Sequence, residues 1–362
     1  MNLGELVMKK IAELSEKTGQ FNELLDGKLV SDIRIDDQVS TILKVVSKKL
    51  QNTRDGKTFL LMTLGDRSGT IRSIDWNNSK YNDERLTNGT VVRATGKVSL
   101  FEGHPQLNIA SSRDAIKVLG ESEFDPNKFI EITSKNIREM YDSLLKQIQK
   151  VKNDKVRALL HEAFVKNDRF VSDFIESPAA INVHHAYKGG LLEHTLDVTE
   201  LAIQLMEAYP EMPIDKDLVI AGALLHDIGK VEEYSLSPTG IDRSDAGELI
   251  GHIVIGINWL TETAARIPQF PKKALVDLQH ILLSHHGEIE WGSPVLPKTI
   301  EALIVHSADN TDSKIAQFRE YTLKAQPNIL NPDDTVWSDF NKYLSRRIRI
   351  RGVVSYGEKT KD

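Results

Sequence analysis

Residues 221–230 read AGALLHDIGK, an apolar helical run that ends in an adjacent histidine and aspartate. An imidazole and an ionised carboxylate on a core-facing helix are costly unless paired or ligated. Four further pieces share this character: His194 in GGLLEHTLDV, His252 in GELIGHIVIG, His285-His286 in LLSHHGEIEWGSP and Asp309 in IVHSADNTDSK. Each lies on, or at the end of, an apolar segment with helical spacing. Ten of the 11 histidines fall between His161 and His306, and only His104 lies outside. Cysteine is absent, which excludes disulfides, thiolate zinc sites, iron–sulfur clusters and a cysteine nucleophile. Imidazoles mixed with carboxylates suit a divalent Mn, Fe, Co, Ni or Zn ion. Neighbouring positions on a helix diverge by about 100°. Near a helix end, however, His226 and Asp227 can both reach one ion and its neighbour. A carboxylate can then bridge two cations ~3.5–4 Å apart that clamp an attacking hydroxide and a phosphoryl oxygen.

Outward from this stretch the chain changes texture twice. From residue 132 onward it reads as helical, beginning with SKNIREMYDSLLKQIQKV, for which Ser134 is the expected N-cap. Helical segments continue over 155–177, 190–208, 216–230, 247–267, 271–286 and 297–320, with a break between Pro268 and Pro271. Residues 39–118 instead alternate in short runs. VSTILKVVSKKLQ, KTFLLMTLGD, TIRSIDW, TVVRATGKVSLF and PQLNIASSRDAIKVL are five expected strands separated by glycine-containing turns. Five short strands in about 80 residues fit a small barrel better than a sandwich. The expected class is multidomain α+β. It comprises a helical extension (1–34), a five-stranded barrel (35–120), a linker (121–133), a helical domain (134–320) and a basic extension (321–362) carrying Arg346, Arg347, Arg349 and Arg351.

Composition narrows the function classes. The 362 residues are 40% hydrophobic and 27% charged, as in soluble globular proteins. No apolar run approaches the ~18 residues of a membrane span, and the charged start MNLGELVMKK lacks the apolar block of a signal peptide. A cytoplasmic protein is expected. The net charge is −6, but residues 1–120 carry 18 Lys and Arg against 15 Asp and Glu. Any grip on a polyanion must therefore be a local patch.

The series His194, His226-Asp227, Asp309 resembles the HD superfamily of metal-dependent phosphohydrolases, with the doublet in the form HDIGK. The resemblance implies that His194, His226, Asp227 and Asp309 surround one cation. It further implies that Asp227 bridges to a second cation held by His252 and His285, the extra histidines of two-metal members. Manganese is the first expectation, with Co, Fe, Ni or Mg as alternatives. His286 is a further ligand or a substrate contact, and His185 either lines the substrate entrance or supports the site from behind or in a turn. Lys230, on the helical face of His226, either touches a substrate phosphate or is a helix C-terminal charge. His161, His280 and His306 are assigned to structure. HHGEIEWGSP lacks the Gly-Tyr-Pro signature of cyclic-di-GMP phosphodiesterases, and Gly190 stands where some three-metal members place a glutamate. Both count against cyclic dinucleotides.

The run DGKTFLLMTLGDRSGTIRSIDW resembles an OB-fold of the nucleic-acid-binding type, which stacks bases on aromatics and follows phosphates with basic groups. Lys57, Phe59, Arg72, Trp76, Arg93, Lys97 and Phe101 are the candidates, although Phe59 and Trp76 could equally be core. Lys57, Arg93 and Lys97 would form a stripe if their strands alternate suitably. An OB-fold ahead of an HD domain, with INVHHAYKGGLLEHTLDV and HSADNTDSK, resembles the YhaM family of 3′–5′ exoribonucleases. This implies a barrel that holds single-stranded RNA, with single-stranded DNA as a second ligand. It implies a metal cleft that activates water to release nucleoside 5′-monophosphates. The N-terminal helix and Arg346, Arg347, Arg349 and Arg351 are expected to serve either homo-oligomer contacts or RNA. Two alternatives stay open: a phosphohydrolase of small nucleotides, and a non-catalytic nucleic-acid-binding regulator.

Overall fold

The computed structural model describes residues 27–181, 185–325, 335–342 and 344–351. His184 and the first 26 residues, including most of the expected N-terminal helix, lie outside them. The described residues divide into two compact units, one formed by 27–134 with 235–242 and the other by the remainder.

The first unit is a closed barrel. Its strands are β1 (Gln38–Asn52), β2 (Thr58–Asp66), β3 (Gly69–Asp75), β4 (Val91–Phe101) and β5 (His104–Ile109), with a helix α1 (Ser79–Arg85) between β3 and β4. The order β1-β2-β3-β5-β4 closes through β4 pairing back onto β1, and β3 runs parallel to β5. β1 serves both neighbours: Gln38–Lys44 pairs with β4, and Lys44–Asn52 with β2. The register shifts between Val45 and Ser47, where Val46 turns out to solvent. A bulge of this kind bends a strand and raises its twist, which lets one long strand turn the barrel's corner. Leu43, Val45, Leu60, Met62, Leu64, Val92, Val98 and Leu107 fill the interior, as the two-residue period requires. The fifth expected strand is two pieces. β5 ends at Ile109, a helical turn intervenes, and β6 (Ile116–Val118) pairs with Val92–Ala94 at the start of β4.

A second apolar cluster lies on the same unit. Ile42, Val91 and Leu119 meet Phe124, Phe129 and Ile130 from the stretch expected as a linker. Leu236 and Ile241 join them from a hairpin, β7 (Tyr234–Ser237) and β8 (Gly240–Arg243). Lys128 is wholly buried here. Its ammonium donates to the carbonyls of Gly27 and Lys28 and to Thr41 Oγ1, at 2.8–3.2 Å. That arrangement lets a charge-bearing side chain sit in an apolar cluster.

The helical unit is built around α6 (Lys216–Leu225), which is buried on every side from Leu218 to Leu225. A helix apolar all round belongs in the centre. Packed on it are α2 (Ile137–Lys150), α3 (Asp154–His161), α5 (Gly190–Glu207), α9 (Lys272–Ser284) and α10 (Ile300–Ala325). α4 (Asp168–Glu176), a short α7 (Lys230–Glu233) and α8 (Asp245–Arg266) complete the unit. The single helix expected over 155–177 is broken by a π-helical turn at Glu162–Lys166. The N-cap of α2 is Asn136 rather than Ser134, because the Asn136 side chain accepts from the backbone N–H groups of Arg138 and Glu139. A ribbon of β9 (Thr335–Trp337) and β10 (Arg349–Arg351) carries Val336 and Ile350 against Tyr321 of α10. No helix of the described residues is long and apolar enough to cross a membrane.

Gly229, in the turn between α6 and α7, lies hard against α8. A Cβ there would stand 2.0 Å from the His252 carbonyl oxygen and 2.8 Å from the Gly256 nitrogen. Gly229→Ala should therefore displace backbone and destabilise the helical unit by about 1–3 kcal/mol, read as a lower thermal midpoint. In the barrel unit, Lys128→Met leaves backbone carbonyls without their donor and should cost about 1–3 kcal/mol in a urea titration. An unchanged midpoint would show that these bonds contribute nothing net.

Candidate metal centre and barrel face

Five helices deliver the polar residues of one buried cluster. His194 lies in the second turn of α5, His226 and His285 terminate α6 and α9, His252 follows a kink in α8, and Asp309 sits on α10. The kink is made by Gly251, whose φ of 71° is left-handed and resets the helix immediately before His252. The chain tightens after α6. The Ile228 N–H donates to Leu225 O and the Lys230 N–H to Asp227 O, both three residues back. Three-residue turns eclipse positions i and i+3. Lys230 consequently stands over Asp227, with Nζ 2.6 Å from Oδ2, rather than on one continuous helical face with His226.

The donor atoms fall into two groups on either side of Asp227. His194 Nε2 is 3.2 Å from His226 Nε2, and each is 3.3 Å from Asp227 Oδ2. Asp309 Oδ1 is 3.3 Å from the same His194 nitrogen. On the other side, Asp227 Oδ1 faces His285 Nε2 at 3.5 Å and His252 Nε2 at 3.6 Å. His286 has a ring nitrogen within the same small space as those of His252 and His285.

Every one of the four inner imidazoles is held from behind. His226 and His285 use Nδ1 to donate to the carbonyls of Ala223 and Leu282, three residues earlier, at 2.8 Å. These bonds also occupy carbonyls that a helix end leaves unpaired. His194 Nδ1 is 2.7 Å from Asp312 Oδ2. His252 Nδ1 is 2.9 Å from Glu233 Oε2. A proton fixed on Nδ1 leaves the Nε2 lone pair pointing inward, the arrangement that metal-binding histidines use. Asp227 Oδ1, His252 Nε2 and His285 Nε2 are buried with no hydrogen-bond partner among the described residues. An unsatisfied buried polar atom costs about 1–3 kcal/mol. Three of them converging on one point form a donor set that fits a divalent cation.

The electrostatics of Asp227, Asp309, His285 and His286 agree with that fit. Burial alone would raise the Asp227 carboxyl, but the charges of Lys230 and His226 and hydrogen bonds with His194 and His226 hold it well below the usual carboxylate range. Asp309 is likewise held down against burial by the His194 hydrogen bond and the His226 charge. Burial lowers His285, and burial with the neighbouring His285 and His252 brings His286 down to about 3. His194 goes the other way: burial opposes its charge, but contacts with Asp227, Asp309 and Asp312 raise it well above the ordinary value. Lys230 also rises, because Asp227 outweighs burial. Ionised carboxylates and neutral imidazoles are the forms that bind metal.

Asp312 and Glu233 were not among the sequence candidates, and both back metal-type histidines. Asp312 lies one helical turn past Asp309, and Glu233 three residues past Lys230, a spacing that a solvated helix face shares. Of the two roles open for His185, the structure favours support over the entrance. His185 is 5% exposed, with Nε2 3.0 Å from Asp312 and Nδ1 2.8 Å from the Tyr187 hydroxyl, which in turn donates to Glu193. Its place is behind His194. His306 also holds structure, with Nδ1 2.7 Å from the His285 carbonyl.

On the barrel, Phe59 is half-buried and pairs with the exposed Trp76 at 4.8 Å between ring centroids. Arg72 lies over the Phe101 ring at 4.3 Å and donates to Gln106. Gln106 continues to Asn108, and Asn108 to Ser99, so a polar chain crosses the outer face of β3, β5 and β4. Arg93 and Lys97 share the outward face of β4. The expected three-residue stripe does not form. Lys97 is in register with Gln38 at the start of β1, whereas Lys57 precedes Thr58, which pairs with Asn52 at its end. Lys57 is instead 3.8 Å from Asp55, and Lys97 3.1 Å from Asp36.

Comparison with known proteins matches both parts of the chain. Residues 191–314 match the HD domain family, and residues 41–119 match the OB-fold nucleic acid binding domain. The 3′–5′ exoribonuclease YhaM of Bacillus subtilis is 32% identical over 281 residues, covering 78% of this chain and 86% of the relative. The protein of the same name from Bacillus licheniformis is 33% identical over 282 residues, with the same coverage. Among solved structures, a domain of replication protein A from Methanococcus maripaludis is 17% identical, covering 25% of this chain and 93% of its own, with a TM-score of 0.22. The likeness over 78% of the chain, with an OB-fold barrel ahead of a helical HD domain, makes this chain a metal-dependent hydrolase that belongs to the YhaM family of 3′–5′ exoribonucleases.

Proposed function

We propose that the protein shortens single-stranded RNA from its 3′ end to nucleoside 5′-monophosphates at a two-cation centre. His194, His226, Asp227 Oδ2 and Asp309 would hold one cation, and Asp227 Oδ1, His252 and His285 the other, with manganese the first choice. The observation that carries this reading is the pair of Asp227 oxygens, each facing its own set of imidazole nitrogens at 3.3–3.6 Å. Bound divalent cations would supply an acidified water and Lewis-acid stabilisation of charge on the phosphoryl oxygens.

The chain's own groups account for the rest. Lys230 keeps Asp227 ionised and has further N–H donors for a phosphoryl oxygen. Asp312 and Glu233 fix the rings of His194 and His252, so the nitrogens need not reorganise during the reaction. The Phe59–Trp76 pair and the Arg72–Phe101 pair offer the barrel's ring faces and positive charge to unpaired bases and phosphates. Such contacts do not read the 2′-hydroxyl, so single-stranded DNA is a second ligand for the barrel. The cysteine-free composition accords with a cytoplasmic setting. A homo-oligomer is the assembly we expect by light scattering.

Asp227→Ala should abolish release of mononucleotides from an end-labelled single-stranded RNA on a denaturing gel, while retardation of the same RNA persists. More than about a tenth of wild-type activity would refute the bridging role. Manganese should raise the thermal midpoint of the wild type, because a ligand bound only by the folded state stabilises it. In His285→Ala the manganese shift should shrink; an undiminished shift would remove His285 from the ligand set.

A further inference from the structure

The loop that leaves the metal centre after α9 carries an exposed tryptophan. His285 is followed by His286, Gly287 and then Glu288-Ile289-Glu290-Trp291-Gly292. Gly287 and Gly292 have φ of 81° and 86°, conformations that favour glycine. A Cβ at Gly287 would stand 2.0 Å from the His306 ring, so the loop is pressed against α10 at that point. Ser293 ties its far end, its hydroxyl lying 2.7 Å from the Val295 carbonyl and 3.2 Å from that of Leu283. The Trp291 carbonyl is 3.1 Å from His286 Nδ1, and the His286 ring is 4.4 Å from that of His285 and 5.2 Å from that of His252. A fixed chain of contacts therefore runs from the candidate ligands to Trp291.

The indole has the character of a contact surface. Trp291 is 53% exposed, although so large an apolar side chain is normally well buried. The ammonium of Lys314 lies over its ring at 5.4 Å. Lys314 is exposed and sits on α10 five residues past Asp309, about 7.5 Å along the axis. A half-exposed aromatic plane with a cation beside it matches a nucleotide: a base for the ring and a phosphate for the charge.

We infer that Trp291 is the stacking platform for the 3′-terminal base of the RNA, and that Lys314 meets a phosphate of the same strand end. This deepens the exoribonuclease reading and rests on it. The pair assigns a base-tolerant grip to the nucleotide about to be released, because every base has a π-face to stack. Trp291 is a binding residue here, and the reacting atoms stay with the metal centre.

The test is a cycle between protein and substrate. Release of the terminal nucleotide is followed in steady state for wild type, Trp291→Ala and Trp291→Phe, on an oligoribonucleotide with either an ordinary or an abasic 3′-terminal residue. Wild type should lose about tenfold in kcat/KM on the abasic end, about 1.4 kcal/mol. Trp291→Ala should lose a similar factor on the ordinary end, mainly in KM, and little more on the abasic one. Trp291→Phe should recover most of it. If the two losses multiply, or if Trp291→Ala leaves KM for the ordinary end unchanged, the platform is overturned. A general folding defect would lower both substrates alike and so counts as multiplication. If wild type shortens neither RNA, the exoribonuclease reading itself fails and the platform with it.

Discussion

The helical unit is organised around the cost of placing Asp227 in a dry interior. Its carboxylate is 2% exposed, and four histidines and one lysine have nitrogens within 3.6 Å of its two oxygens. An ionised group so deep is tolerable only when its surroundings supply opposite charge or a cation. That demand reaches outward. The imidazoles must present Nε2, so their Nδ1 atoms need acceptors. Those acceptors are two helix-end carbonyls and the carboxylates of Asp312 and Glu233. The positions of α5, α6, α8, α9 and α10 are thereby coupled through one side chain.

Much of this was legible because such residues are conspicuous where they do not belong. Histidine and aspartate at the ends of apolar helices stand out against their neighbours, and His194, His226, Asp227, His252, His285 and Asp309 do converge. The supporting carboxylates were not legible. An acid on a helix beside another polar residue has the pattern of a solvated face, and only coordinates show that Asp312 turns toward His194. His185 was legible only as a choice. Its nearness in sequence to His194 fitted a role in front of the site or behind it, and the turn at Gly189 and Gly190 folds it behind. Helical periodicity also misplaced Lys230, because three-residue hydrogen bonds replace four-residue ones just where the chemistry begins.

The barrel was readable as alternating strands, and its closure follows from the length of β1. What escaped was anything too short to carry a period. β6 has three residues and α1 has seven. The hairpin at 234–243 was passed over although Ser237-Pro238-Thr239-Gly240 is an ordinary turn signal. The candidate nucleic-acid residues separate along physical lines. The aromatic pairs share faces, but the basic stripe fails because pairing register, not alternation alone, sets which side chains are neighbours.

That hairpin also governs how the chain is made and cut. Residues 235–242 group with the barrel, although more than a hundred residues of sequence separate them from residue 119. A ribosome must therefore emit the start of the helical unit before the barrel's second apolar cluster can close over Leu236 and Ile241. A fragment ending at residue 134 would lack that cover, and a fragment beginning there would carry two stranded apolar side chains. The two units are sequence-interleaved rather than strung in series, and neither can be cleanly excised at a single boundary.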